Sequence, residues 1–274
     1  DDIRLNIPSI LAGYNIGSLK QEIIVFLDEK RNKFAGPGTA FDPAAAFLGA
    51  SIITNVSPPQ DNISYALRNK ILLSGLELDL SFGEYNNKQL STLSSSVSGN
   101  VTTLVTQQDR ILFVGLNGNI VLSDFVLKFD TSHKKGKRFP GSNPLSSPWS
   151  EHEVSEFSFG ADYSGFNDLS INVELANAYV HEHTTQIANE QSEYGYSLRF
   201  DWRLYNDLLD LSLQHANILG DNGSFSSFSA AYEFSDRVNV GGKIISFDSD
   251  NNTQQLFPYR HQDLIQLTLD YYFN

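Results

Sequence analysis

The chain has 274 residues, 41% of them apolar and 12% aromatic, with 19 basic against 32 acidic side chains for a net charge of −13. It contains no run of about 18 apolar residues, so it encodes no membrane-spanning helix, and the acidic balance argues against a general nucleic-acid binder. With no cysteine, neither a disulfide framework nor thiolate chemistry is available. A single all-β domain over 1–274 is compatible with this length. The chain opens Asp1-Asp2 and holds no methionine, so a leader or a longer upstream stretch is expected before it.

Thirteen strands are predicted in chain order: 3–14, 17–28, 62–73, 75–84, 109–117, 119–130, 153–164, 168–180, 192–203, 207–216, 225–235, 237–248 and 262–273. Their signal is alternation with period two. Leu76, Leu78, Leu80 and Phe82 alternate with Glu77, Asp79, Ser81 and Gly83. Leu169, Ile171, Val173 and Leu175 alternate with Ser170, Asn172 and Glu174. Tyr194, Tyr196, Leu198, Phe200 and Trp202 alternate with Glu193, Gly195, Ser197, Arg199, Asp201 and Arg203. In the last strand Ile265, Leu267, Leu269, Tyr271 and Phe273 alternate with Gln266, Thr268, Asp270 and Tyr272.

Successive side chains of a strand point to opposite faces, so each strand has one oily and one polar face. Turning 192–203 over would bring Arg199 near mid-membrane at a cost of about 2–4 kcal/mol. The aromatic face is therefore expected to meet lipid and the charged face an interior. Connections alternate in length. Tight turns are predicted near Asn15-Ile16, Ser74-Gly75, Asn117-Gly118, Gly165–Asn167, Tyr205-Asn206 and Ser235-Asp236. Longer loops are predicted over 29–61, 85–107, 131–152, 181–191, 217–224 and 249–261.

That rhythm is the one of a transmembrane antiparallel up-and-down β-barrel, with short periplasmic turns and longer external loops. Thirteen strands would put the two chain ends on opposite sides of the membrane. An even number is usual, so fourteen or more strands are expected, with one or more lying upstream. The expected location is a bacterial outer membrane. The terminal Tyr271-x-Phe273 looks like the closing strand of such a barrel, although Asn274 follows the phenylalanine.

Three stretches carry a further resemblance: Phe34-Ala-Gly-Pro-Gly-Thr-Ala-Phe-Asp-Pro43, Ser64-Tyr-Ala-Leu-Arg68 leading into Gly75-Leu-Glu-Leu-Asp-Leu80, and Phe257-Pro-Tyr-Arg-His261. Their order resembles the later part of a sparsely characterised family of Gram-negative outer-membrane proteins in the porin superfamily, found with resistance-nodulation-division type exporters. The resemblance implies a barrel and a periplasmic or export-complex partner. It supplies no catalytic residues.

Interior charges assigned by strand phase include Arg68, Lys70, Glu77, Asp79, Glu174, Arg199, Asp201, Arg203 and Asp270. They read either as the lining of a mildly cation-favouring passage for small solutes or as cross-strand pairs holding an occluded, structural barrel that serves as a scaffold or sheath. Lys134, Lys135, Lys137 and Arg138, in the loop predicted over 131–152, could bind lipopolysaccharide phosphates. A solvated basic loop is the plainer alternative.

Asp248-Ser-Asp250-Asn-Asn252 begins like a calcium loop but lacks its sixth-position glycine and twelfth-position glutamate. His181 and His183 lack further spaced ligands for zinc. No metal or cofactor is therefore expected. Barrel lipid-modifying enzymes join a serine and a histidine at the lipid edge. None of the six histidines (133, 152, 181, 183, 215 and 261) lies in a recognisable Ser/His motif, and no Gly-x-Ser-x-Gly occurs. A channel rather than an enzyme is the expectation, with His215 and His183 marking the lipid-enzyme alternative.

Overall fold

The computed structural model describes residues 8–27, 51–59, 61–99, 101–142, 149–220, 222–251, 254 and 256–272. It is all β. The strands are β1 (Ser9–Ile16), β2 (Leu19–Phe26), β3 (Ser51–Val56), β4 (Ser64–Leu73), β5 (Leu76–Ser98), β6 (Val101–Leu122) and β7 (Phe125–Pro140). They continue with β8 (Trp149–Phe166), β9 (Leu169–Val180), β10 (Ser192–Leu204), β11 (Leu209–Asn217), β12 (Ser224–Ser235), β13 (Val238–Asp248) and β14 (Leu264–Tyr271). All but β3 follow one another in a single meander from β1 to β14. β3 instead pairs in parallel with β6, Ser51 beside Val101 through Val56 beside Thr106. It takes the β6 edge beyond the point where β7 ends, and a covered edge is one less template for stray pairing. The chain divides into two compact units, 1–118 with 130–157 and 178–192, and 119–129 with 158–177 and 193–274.

In the second unit the pairing keeps the faces in step. Phe200, Leu213, Phe228, Ile244 and Ile265 form one row across β10–β14. The neighbouring row on the other face is Asp201, Ser212, Ser229, Lys243 and Gln266. In the first unit Ala12, Ile23, Leu67 and Phe82 form an apolar row, and Gly13, Glu22, Arg68 and Ser81 the polar one beside it. Within the apolar face Gln21 Nε2 donates to Asn69 Oδ1 at 2.9 Å. The two amides thus satisfy each other where a lone one would be costly.

Three expectations need correction. The segment predicted as a loop over 85–107 is strand: β5 runs 23 residues and β6 22, joined near Gly99 at φ 58. The reason is compositional. Asn86-Asn-Lys-Gln and the Ser/Thr run 91–98 carry no apolar period because these strand ends have no oily face to bury. Gly118 sits inside β6, and the turn falls instead at Ser123-Asp124, where Ser123 has φ 53.

The expected loop 131–152 is likewise mostly strand, since β7 continues to Pro140 and β8 starts at Trp149. Lys134, Lys135, Lys137 and Arg138 therefore lie on β7, not on a loop. Gly136, at φ 91, interrupts the period there. Lys134 and Lys137, three apart, both reach Glu156, as a bulged strand permits.

The segment expected as a loop over 181–191 is one, and it folds back over the polar face. Ile187 packs with Phe139, Val154 and Val180 in a buried apolar cluster. Ser142 N–H donates to the Gln186 carbonyl at 2.7 Å and Ala188 N–H to the Pro140 carbonyl at 2.9 Å. The motif 34–43, Phe273 and Asn274 lie outside the described residues.

The face assignment predicts unequal substitution costs. Phe228→Arg should destabilise the protein in lipid vesicles by about 2–4 kcal/mol, whereas Ser229→Arg should cost close to nothing. Equal losses in urea unfolding of the two variants would overturn it.

Candidate functional site

The polar face of the first unit is tied together by ion pairs. Arg68 bridges Asp79 and, at 3.6 Å, Glu22. Lys20 holds Glu22 at 2.6 Å, and Lys70 pairs with Glu77. Register explains the pattern, because Lys20, Lys70 and Asp79 lie side by side across β2, β4 and β5. Two adjacent ammonium groups would repel, and the interleaved carboxylates offset that. Asp79 is only 1% exposed and Glu22 4%, so these residues are covered by their partners.

The second unit is different. Arg199 Nε meets Asp201 at 2.8 Å along the same strand, and Arg203 meets Asp207 at 3.6 Å with both side chains exposed. Lys128 pairs with Asp162, to which Asn172 also donates. Glu174, Asp210, Glu233 and Asp270 have no ion-pair partner among the described residues.

The four cations of the 134–138 run on β7 each have an acidic partner. Lys134 and Lys137 share Glu156, Lys135 meets Glu153 at 3.1 Å, and Arg138 meets the buried Asp109 at 3.3 Å while stacking over Trp149. They do not form one free basic patch. Lys135 is the most exposed of them, at 63%.

Lys135 belongs to a group on the apolar side of the sheet. The oily residues of β8 there are Phe157, Phe159, Ala161 and Tyr163; two and four residues before Phe157 stand Ser155 and Glu153. His133 of β7 contacts both, with Nδ1 3.0 Å from Ser155 Oγ and Nε2 3.2 Å from Glu153 Oε2. His181, just past β9, places Nε2 2.8 Å from the same Oγ. Lys135 Nζ lies 3.1 Å from Glu153 Oε1, so the carboxylate has an ammonium on one oxygen and an imidazole on the other.

Sequence reasoning missed this cluster because Ser155 lies 22 residues from His133 and 26 from His181. Three neighbouring strands bring them together, and no local motif could show it. His215 lies on the apolar side near Tyr196 hydroxyl (3.3 Å) and Ser226 Oγ (2.9 Å). His183 is engaged with the Asn189 carbonyl at 2.8 Å. In the acidic 248–252 turn, Gln254 Oε1 accepts from Ser249 Oγ (2.6 Å) and Asp250 N–H (2.9 Å). Asn252 lies outside the described residues.

No family model and no curated protein matches the chain. Among solved structures it is similar to OccAB3 of Acinetobacter baumannii, with TM-score 0.49, 13% identity, and 98% of this chain covering 69% of that one. It is also similar to OccK10 (OpdN) of Pseudomonas aeruginosa, with TM-score 0.45, 14% identity, and all of this chain covering 75% of that one. Against OmpT, an outer membrane protein of Vibrio cholerae, the TM-score is 0.43 at 8% identity; 90% of this chain spans 57% of that chain, little more than half its length. At these values no residue role is carried across.

The ion pairs predict a non-additive response. Arg68→Gln leaves the covered Asp79 carboxylate unpaired and should lower the unfolding midpoint by several degrees. Adding Asp79→Asn should recover much of that loss, since removing both partners leaves no buried charge unmatched. Strictly additive losses in the double variant would mean the pair is not coupled.

Proposed function

We propose that the protein spans a bacterial outer membrane as a β-barrel channel, its apolar rows against acyl chains and its polar rows lining a wet passage for small solutes. The observation that carries this reading is the register of β10–β14. Five strands in succession put bulky apolar side chains in one row and polar ones in the next. A soluble sheet would cover the oily row with a second layer. Here Phe228, Ile244 and Ile265 stay 45%, 49% and 72% exposed, and large exposed apolar patches mark a contact surface.

The dimensions agree. Tyr196 and Tyr205 are nine residues apart on and just beyond β10, about 30 Å along an extended strand. Tilted by about 40°, that stretch rises roughly 23 Å, close to the apolar band of an outer-membrane barrel. Exposed Tyr194, Tyr196, Tyr205 and Phe234 fit its interfacial aromatic girdles.

The passage favours cations. In the second unit the unpaired carboxylates Glu174, Asp210, Glu233 and Asp270 outnumber the one unpaired lysine on that face, Lys243, among the described residues, and carboxylate rings bias a pore toward cations. Of the run 134–138, Lys135 is the most exposed, and on this reading it would meet a lipopolysaccharide phosphate. A second reading, an occluded barrel serving as a scaffold, is favoured by the apolar cluster that Ile187 completes on the polar face of the first unit.

The protein should require detergent for extraction and give discrete conductance steps in a planar bilayer, with potassium more permeant than chloride. Replacing Asp210 and Glu233 together by lysine should reduce that preference several-fold, read from the reversal potential in a salt gradient. Conductance no different from bare lipid would remove the channel and leave the scaffold.

A further inference from the structure

We propose that Ser155 is the nucleophile of an esterase site on the lipid-facing side of the wall, whose substrate is the acyl ester of a glycerophospholipid. The proposal rests on the membrane placement above, though not on an open passage. Its first support is the hydrogen-bond order around Ser155. Ionised Glu153 only accepts, so the His133 nitrogen 3.2 Å away, Nε2, carries the proton of the neutral ring. Nδ1 of His133 is then bare and accepts the hydroxyl proton of Ser155 at 3.0 Å. Having donated there, Ser155 Oγ can only accept from His181, so His181 Nε2 is protonated at 2.8 Å. One proton arrangement satisfies all three contacts when both rings are neutral. It is the arrangement of a nucleophile, its general base and a carboxylate that orients the base.

The second support is position. Ser155 precedes the oily run of β8, two residues before Phe157, which is 49% exposed. Two residues of strand are about 7 Å, which sets Ser155 just beyond the hydrocarbon, at the depth of lipid ester carbonyls. An open concavity of about 380 Å³ lined by Lys135, Glu151, Glu153, His181 and Glu182 adjoins it. A zwitterionic headgroup suits that lining, with phosphate toward Lys135 and ammonium toward the glutamates.

The third support is contrast. Ser226 and His215 form a second pair on the same side at 2.9 Å, but the other nitrogen of His215 faces Tyr196 rather than a carboxylate. Nothing there fixes the base.

The reaction balances without a cofactor. Ser155 Oγ attacks the ester carbonyl carbon as its proton passes to His133 Nδ1. His181 Nε2–H, 2.8 Å from Oγ, and the Lys135 ammonium would supply the donors to the developing oxyanion. The carbonyl re-forms, the acyl–oxygen bond breaks, and the departing lysolipid oxygen takes the proton from His133. Water then attacks the acyl-serine, giving a proton to His133. Oγ leaves, recovers that proton, and a free fatty acid is released.

The test uses the full chain in detergent and in phosphatidylethanolamine vesicles, with and without lipopolysaccharide. A fluorophosphonate probe should label Ser155 at one equivalent. Labelling should vanish in Ser155→Ala, drop at least tenfold in His133→Ala, and be unchanged in Ser226→Ala. Fatty-acid release from the vesicles should follow the same order. Glu153 is a positioning residue: Glu153→Gln should lower kcat at least tenfold with little change in KM. It should also move the acidic limb of the pH–rate profile to lower pH, because the imidazolium loses its carboxylate. Labelling or fatty-acid release equal in the wild type and Ser155→Ala overturns the site. Release from lipopolysaccharide alone overturns the substrate class. Ser155→Ala should conduct as the wild type does, so loss of labelling and loss of conductance are separate failures.

Discussion

The fold depends on strand register. A strand's side chains alternate strictly, so sliding one strand by a single residue would carry its whole oily set to the other face. In β10–β14 that slip would exchange Phe228 and Ile244 for Ser229 and Lys243. One lysine moved to the middle of the hydrocarbon already costs about 2–4 kcal/mol, and a slipped β10 would add Arg199, Asp201 and Arg203. The sum is of the order of the total stability of a domain. Lipid on one side and water on the other thus select one pairing among the many that a chain of similar strands could make.

The same selection leaves the polar face freer. In the first unit its charges are spent on each other: Arg68 spans Glu22 and Asp79, and Lys70 turns to Glu77. Well-packed apolar residues could hold those strands as firmly, so firmness alone does not explain charge there. In the second unit the corresponding face keeps carboxylates, Glu174, Asp210, Glu233 and Asp270, that have no ion-pair partner among the described residues, and these set the local potential. Within one sheet, therefore, ionic residues on the polar face hold strands together in one stretch and act on the solvent in another.

What the sequence made legible follows from where water and lipid lie. Alternation was plain in 75–84, 168–180, 192–203 and the last strand, because each has one oily face. It vanished in 85–107, where Asn86 to Ser98 form strand with no oily face. Turn signals misled in the same way: Asn117-Gly118 reads as a hairpin, yet β6 runs through it and bends back at Ser123-Asp124. The basic run 134–138 looked like a loop because composition does not report that Glu153, Glu156 and Asp109 stand ready on the adjacent strands. Charge pairs depend on register across strands, which no single segment contains. The Ser155 cluster was illegible for that reason too.

The position of that cluster follows from the rule that built the wall. His133, Lys135, Glu153 and Ser155 occupy the same alternate positions as Phe129, Phe157 and Phe159, so the strand period aims them toward the bilayer rather than toward the interior. An ionised Glu153 inside the hydrocarbon would be untenable without relief. Four residues before Phe157, the outermost phenylalanine of β8 on that side, it finds an ammonium, an imidazole and the wet headgroup layer. A polar hydrogen-bonded set at this depth is therefore tolerated by the membrane and within reach of lipid esters. A serine on the opposite face could not reach them at any height. Because the polar rows and this cluster lie on opposite sides of one sheet, substitutions in one leave the other's surroundings intact. On the proposed reading a single wall would present a passage on one face and a reactive edge on the other, without either compromising the register that supports both.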